Sequence, residues 1–461
     1  MHIKIIMLIF ISSLLYGCAG GTADSGGSNP AEGIGVTNLS LSKQGYSVGL
    51  IDVDGDGIED KVVGAPYAVK DSNVGAVLIY KGLQSGFSSQ PTAYLTGDDN
   101  TGFSFVKLDK GSSDTAEKFA VGALNGNGED VSLSGSASIY RAGTNGPELI
   151  TKLSGEEPLD KFGFSLAPGD FNADGKTDII IGAPFHTPEP SLYQQGAVYV
   201  YLGPDFKTKI SLHASSTNKG LGWAVASGDI NGDGIADILI SASGSVLAYY
   251  GSQTFNPSIN APDVKITSTS SGFGKAISVI GDITADGFGE IAIGAPGAVI
   301  SNNRDTGSVY IIKGGTGNRT INADSDQNNR IVRIDGNALF DRFGSSISPA
   351  GDVDDDNIPD FAVGAMTTDV DFNDLRGRVY LFKGKHIDSG TTPAKATVFN
   401  GTTRDQRYGF SLAYAGNKRL LIGAPTSNMD TGGVSMVDLT TGQAVPGGSS
   451  GGSSGDTGEC H

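Results

Sequence analysis

The chain has 461 residues, 69 of them glycine, and a formal net charge of −18. Length alone points to two or three domains, an expectation that an internal repeat overrides below. The acidity comes without any basic stripe, which argues against a nucleic-acid partner.

The N-terminus reads Met1-His-Ile-Lys4, followed by an apolar run from Ile5 to Leu15. That run is too short for a transmembrane helix and fits the core of a secretory signal over 1–17. Leu15-Tyr16-Gly17-Cys18 resembles a bacterial lipobox, which would make Cys18 the lipidated residue. Lipoprotein sorting then implies a protein anchored in the cell envelope, and Ala19 implies the outer membrane or cell surface in a Gram-negative cell. More than one acyl chain suffices for stable membrane attachment. Residues 18–33 are rich in Gly, Ser and Ala and read as a flexible tether. With Cys18 acylated, Cys460 near the C-terminus has no partner within the chain.

From residue 34 onward a nine-residue pattern returns five times. Its copies place Asp52, Asp54, Asp56, Ile58 and Asp60 at positions 1, 3, 5, 7 and 9, then Asp170, Asn172, Asp174, Lys176 and Asp178. They continue with Asp229, Asn231, Asp233, Ile235 and Asp237, then Asp282, Thr284, Asp286, Phe288 and Glu290, and end with Asp352, Asp354, Asp356, Ile358 and Asp360. Oxygen-bearing side chains stand at 1, 3, 5 and 9, and position 7 offers its backbone carbonyl. Calcium takes about 6–8 oxygens at about 2.3–2.6 Å and suits such a set best. An EF-hand would need Glu at position 12. Here that position is Val63, Ile181, Ile240, Ile293 and Val363, so the ninth residue must close the shell. Short apolar runs such as Ile179-Ile180-Ile181 follow each loop and read as buried strands. Each copy is therefore a metal-clamped hairpin. The five loops supply four, three, three, three and four carboxylates, seventeen in all, and five Ca²⁺ would bring −18 to about −8.

A longer repeat carries these loops. A Gly beside an aromatic residue precedes each one, giving anchors at Gly45, Gly102, Gly163, Gly222, Gly274, Gly344 and Gly409. A Gly-Ala-Pro box or a relative follows, as in Gly64-Ala65-Pro66, Gly182-Ala183-Pro184 and Gly423-Ala424-Pro425. Third strands such as Ala197-Val-Tyr-Val-Tyr201 and fourth strands such as Ile331-Val-Arg-Ile334 complete the unit. The second copy has only Asp109 before the pattern fails, and the seventh is shortened to Gly416-Asn417-Lys418-Arg419. Seven units of four strands predict an all-β, seven-bladed β-propeller of four-stranded antiparallel blades.

The Phe-Gly, acidic loop and Gly-Ala-Pro series over 34–442 resembles the FG-GAP repeat of integrin α-subunit propellers. The resemblance implies calcium loops between strands 1 and 2 on the lower face. It also implies ligands met on the upper face by the 2-to-3 and 4-to-1 loops. That family closes its ring by sharing a blade between the chain ends. Val36-Thr-Asn-Leu-Ser-Leu41 is thus expected to complete the last blade, whose third strand is Val434-Ser-Met-Val437. Such closure leaves no free sheet edge. Residues 443–461 read as a Gly/Ser-rich tail.

Enzyme signals are absorbed by the repeat. Gly45-Tyr-Ser47-Val-Gly49 has the spacing of a nucleophile elbow but sits at a repeat anchor. Asp130-Val-Ser132-Leu-Ser134 matches a metal-dependent adhesion pattern without the α/β setting that pattern needs. His186, His213 and His386 are each alone in sequence and read as surface or turn residues. No catalytic residue is assigned. The 2-to-3 segments differ: His186–Tyr193 is Pro-rich, Val299–Asp305 polar, and Thr368–Asp374 acidic enough to hold another cation. The expectation is a lipid-anchored, calcium-stabilised propeller that binds a protein or glycan, with an envelope scaffold as the alternative.

Overall fold

A computed structural model describes residues 42–445, apart from 71–72, 85, 109–115, 128–130, 188–193, 215–219, 302–304, 369–374, 389 and 428–430. Among these residues the protein is a β-propeller with almost no helix, its 3-10 turns being Gly384–His386 and Pro393–Lys395. No helix among them is long and apolar enough to cross a membrane.

Five sheets of three to five strands stand apart, and a sixth has eight. The eight-stranded sheet contains Val48–Ile51, Asp60–Lys70, Asn73–Tyr80 and Ala93–Leu95, then Thr101–Leu108, Lys118–Ala123, Ser136–Arg141 and Glu148–Ser154. A single parallel pair, Gly75 with Thr101, joins its two antiparallel halves. Next come Ser165–Gly169, Asp178–Ala183, Ala197–Leu202 and Thr208–His213 in plain order. Val225–Gly228, Asp237–Ala242, Ser245–Tyr249 and Val264–Thr267 follow, and Arg319–Asn322 adds to the last of these in parallel. The next sheet takes Ala276–Val279, Ile291–Ala295, Ser308–Ile312 and Arg330–Asp335. Phe343–Gly351, Asp360–Ala365, Arg378–Phe382 and Thr397–Asn400 make another. Ser411–Tyr414, Arg419–Ala424 and Gly433–Asp438 form the last. Gly82–Leu83 and Gly86–Phe87 make a small ribbon beside them. The sequence expectation of seven separate four-stranded blades therefore meets fewer free-standing sheets, because one parallel bridge fuses two runs and the last run shows three strands.

The strand after four of the acidic loops is buried along its whole length, as in Asp178–Ala183 and Asp360–Ala365, and Asp60–Lys70 is buried as far as Pro66. Burial on both faces explains why these strands are continuously apolar rather than alternating. The core lies between consecutive sheets. One cluster joins Ile180 and Val198 to Ile238 and Leu247, another joins Val309 and Ile334 to Phe361 and Tyr380. A further cluster unites Val48, Val63 and Leu78 with Leu421, Val434 and Met436, so the first and last units pack on each other and the ring is closed.

A repeated polar contact ties neighbours together. Ser47 Oγ donates to the Gly102 carbonyl at 2.9 Å, Ser104 to Gly163 at 2.6 Å, Ser165 to Gly222 at 2.9 Å and Ser346 to Gly409 at 2.7 Å. Ser411 joins the last unit to the first by donating to Gly45 at 2.8 Å, while Ala224 and Ala276 stand at the serine position in two other units. Gly45 itself has φ +85°, and a Cβ there would stand 2.3 Å from the Gly433 carbonyl. Only glycine permits that left-handed turn and that close approach.

The expected closing strand, Val36–Leu41, lies outside the described residues. What is seen beside Gly433–Asp438 is a turn of the chain itself: Val437 bridges Ala444 antiparallel, and Val445 N–H donates to the Met436 carbonyl at 2.9 Å. Residues 443–445, read from sequence as the start of the tail, thus lie against the last sheet, because the Asp438 carboxylate gathers the Thr440 and Thr441 amides into a tight turn.

Candidate functional site

All five acidic loops share one internal geometry. The residue at position 2 is a buried anchor in each: Val53, Phe171, Ile230, Ile283 and Val353. The carboxylate at position 1 turns the loop by accepting backbone N–H groups. Asp52 takes those of Gly55 at 2.7 Å, Asp56 at 3.1 Å and Gly57 at 2.9 Å. The position 7 amide always donates to the position 5 side chain: Ile58 to Asp56 and Lys176 to Asp174 at 2.9 Å, Ile235 to Asp233 at 2.8 Å, Phe288 to Asp286 at 3.1 Å, and Ile358 to Asp356 at 2.9 Å.

These constraints converge oxygens. Ligand oxygens of Asp52, Asp54 and Asp56 lie within 4.8 Å of one another, as do those of Asp352, Asp354 and Asp356. In the fourth loop the group is Asp282, Asp286 and the longer Glu290. The loops starting at Asp170 and Asp229 place Asn172 and Asn231 at position 3, each with an amide side chain beside Asp174 and Asp233.

Position 9 is buried and works on the backbone. Asp60 accepts Val53 N–H at 2.9 Å and Gly82 N–H at 2.7 Å, one on each oxygen. Asp178, Asp237 and Asp360 repeat this with Phe171 and Gly203, Ile230 and Gly251, and Val353 and Gly384. Each carboxylate oxygen keeps a second lone pair for a cation. Burial pushes Asp178 up to about 6, Asp237 to about 7 and Glu290 to about 7, and the neighbouring loop carboxylates add to the rise. Lysines lean into two of the loops. Lys81 bridges Asp54 and Asp56, and Lys383 reaches Asp360 at 3.1 Å and Asp354 at 3.7 Å. An all-oxygen set crowded with like charge, clamped by its own backbone, fits a hard divalent cation.

The opposite end of the ring is built differently. Gly45 N–H bonds to the Gly64 carbonyl, so the start of each first strand and the end of each second strand share the end away from the acidic loops. There the residues following the anchors converge: Tyr46 stands 4.7 Å from Phe103 and from Phe410, Phe103 5.0 Å from Phe164, and Phe164 4.8 Å from Trp223. Lys275 holds its ammonium over the Trp223 ring. The anchor pairs were visible in sequence, but their convergence on one axis requires the ring.

The same end gathers residues that sequence reasoning kept apart. Asp160 and His186 are buried, and His186 Nδ1 lies 3.0 Å from Asp160 Oδ2. His213 Nδ1 lies 3.1 Å from His186 Nε2, and His213 Nε2 stands 3.8 Å from Glu156 Oε2. Neither histidine is the isolated surface residue the sequence suggested. The register explains it: His186 follows the second strand and His213 ends the fourth, paired with Ala197 at the same end of one sheet. His386 is exposed on its 3-10 turn. Ser47 is a buried donor to Gly102, with no base beside it among the described contacts.

Cys18, the tether, Asp109, Asp130, Cys460 and the loop stretches 188–193, 302–304 and 369–374 lie outside the described residues.

Comparison with known proteins agrees with this architecture. The FG-GAP repeat profile matches residues 44–80, 162–201, 221–254 and 273–312, stretches that hold four of the five acidic loops. Integrin alpha-PS3 of Drosophila melanogaster is 35% identical over 179 residues, 36% of this chain and 16% of that protein. Integrin alpha-V of Gallus gallus is 29% identical over 222 residues, 45% of this chain and 20% of that protein. Integrin alpha-7 of Rattus norvegicus is 31% identical over 301 residues, 64% of this chain and 20% of that protein. Among solved structures, Saccharomyces cerevisiae Sqt1 aligns over 87% of this chain and 84% of its own, with TM-score 0.48 and 12% identity. The chain carries FG-GAP repeats and is an integrin-α-like β-propeller. It spans a fifth or less of the length of these curated relatives.

Proposed function

We propose that this chain is an envelope-anchored, calcium-stabilised propeller of seven blades that binds a protein ligand, as an adhesion module does. The observation that carries the reading is the segregation of two chemistries. Five acidic loops with one hydrogen-bond pattern occupy one end of the ring, and the aromatic series with the Asp160, His186 and His213 cluster occupies the other. Seven core clusters, each joining neighbouring stretches, support seven blades. In this reading calcium is held by positions 1, 3, 5 and 9 with the position 7 carbonyl, about one ion per loop. Its work is to offset the buried carboxylates and fix the hairpins. Cys18 is lipidated, and residues 18–33 are the tether. Integrin-named relatives favour a protein over a glycan as ligand.

Titrating metal-stripped protein with Ca²⁺ tests the first half. About five equivalents and a rising melting temperature are expected, and an unchanged melt in excess chelator overturns it. A protein and glycan array probed with residues 34–445, with and without calcium, tests the second. Recovery of a stoichiometric envelope complex without array binding would replace adhesion by scaffolding. A Cys18→Ser variant should leave the membrane fraction, and retention there overturns the anchor.

A further inference from the structure

From the cluster of Glu156, His186 and His213 we infer a second metal site, for a zinc-class transition ion, at the end of the ring opposite the acidic loops. One ligand atom from each residue lies within 4.8 Å of the others. Two nitrogens bound to a tetrahedral zinc at about 2.0–2.1 Å lie about 3.3 Å apart. The His186 Nε2 to His213 Nδ1 separation is 3.1 Å, which needs only a small opening to admit the ion.

Donor and acceptor bookkeeping leads to the same place. Asp160 Oδ2 accepts the backbone N–H groups of Glu156 at 3.0 Å and Glu157 at 2.9 Å, and it faces His186 Nδ1 at 3.0 Å. A carboxylate so placed requires a proton on Nδ1, which leaves Nε2 of His186 a bare lone pair. Neutral His213 has one proton for two demands. On Nδ1 it satisfies His186 and sets a lone pair at Nε2 against Glu156. On Nε2 it faces Glu156 and leaves two nitrogen lone pairs opposed at 3.1 Å. Either way the cluster is one cation short. A metal on His186 Nε2, His213 Nδ1 and a Glu156 oxygen removes the conflict, with His213 Nε2 protonated.

The surroundings fit that role. Asp160 is fully buried, its Oδ1 has no hydrogen-bond partner, and it orients His186 as a carboxylate behind a metal-bound histidine does. His213 and Glu156 remain partly exposed, with side-chain exposures of 38% and 34%, so an ion has a way in and a fourth position stays open to water or a ligand atom. The buried Tyr199 ring lies 6.0 Å from His213 and 6.5 Å from His186 and walls the inner side. Lys209 opposes the ion, its ammonium 2.7 Å from Glu156 Oε1, which leaves Oε2 for the metal. Two imidazoles select a transition ion over calcium, so the site is chemically distinct from the five acidic loops.

The test is calorimetric titration of transition-metal-free, calcium-saturated protein with Zn²⁺ alone, repeated with Co²⁺ to read the visible absorption of a tetrahedral centre. Wild type should bind one equivalent with a tetrahedral cobalt spectrum. His213→Gln, on a partly exposed side chain, should abolish the spectrum and weaken zinc at least tenfold. Asp160→Asn should weaken it by about 10–100-fold, and Lys209→Met should tighten it. His386→Gln is the control and should change nothing. Melting in calcium confirms that each variant is folded. Absence of saturable zinc binding overturns the site, as does zinc binding that His213→Gln leaves untouched.

Discussion

The two ends of this ring are made under opposite rules. At one end, five loops repeat the same nine positions and the same amide-to-carboxylate bonds, so each loop is a copy. At the other, an aromatic series is interrupted by Lys275 and Ser345, and one unit alone holds a buried acid and two histidines. Repetition serves the scaffold, because any blade must hold its hairpin in the same way. In the proposed reading, difference serves recognition, because a ligand meets one surface once.

The largest expected effect falls on the regular end. Removing divalent metal should lower the melting temperature sharply, since each site filled at a hundredfold over its Kd contributes about 2.7 kcal/mol. Calorimetry with and without chelator reads this, and a small shift would make the loops ordinary turns. Next is the seam between first and last units. Gly45→Ala forces a Cβ against the Gly433 carbonyl at positive φ, and the loss should be roughly 2–6 kcal/mol by denaturant unfolding in calcium. A neutral substitution there would mean the ring need not close at that contact.

A pH series in chelator sharpens the comparison further. Asp237 and Glu290 are held near 7 in the fold and titrate near 4 when unfolded, so between those values the folded state binds more protons. Metal-free stability should therefore fall as pH rises from about 4 to about 7, and saturating calcium should remove that slope. A slope that persists in calcium would place its origin elsewhere. The smallest effect is expected for Ser47→Ala, which deletes one hydrogen bond of about 1 kcal/mol and no chemistry.

What could be read from sequence follows from distance along the chain. The acidic loops close within nine residues, so spacing alone exposed them, and the buried strands that follow declared themselves as apolar runs. The fate of position 9 was less visible: Asp60 and Asp237 reach Gly82 and Gly251, one strand further on, and that pairing appears only in the sheet. The parallel bridge of Gly75 with Thr101 recurs as Gly135 with Phe162, Gly196 with Leu221, Gly307 with Phe343 and Gly377 with Tyr408, and it fuses two sheets only where Gly75 and Thr101 both already belong to strands. Glu156, His186 and His213 come from three segments of one unit. A hint existed, since His186 follows the Gly182-Ala183-Pro184 box and His213 ends the next outer strand, both at the same end under antiparallel pairing. The aromatic anchors were seen as punctuation, and their meeting at one axis needed the closed ring to be recognised.

The serine-to-glycine contacts run one way around the ring, Ser47, Ser104, Ser165 and Ser346 each reaching for the next anchor in the chain, while Ser411 reaches back across 366 residues to Gly45. During synthesis every unit but one can dock on a neighbour made just before it. The first must wait, its apolar flank of Val48, Val63 and Leu78 uncovered, until Leu421, Val434 and Met436 emerge. The loop to be closed spans nearly the whole chain, so this join carries the largest entropic cost of any in the molecule. The blade translated first is thus the last to be finished.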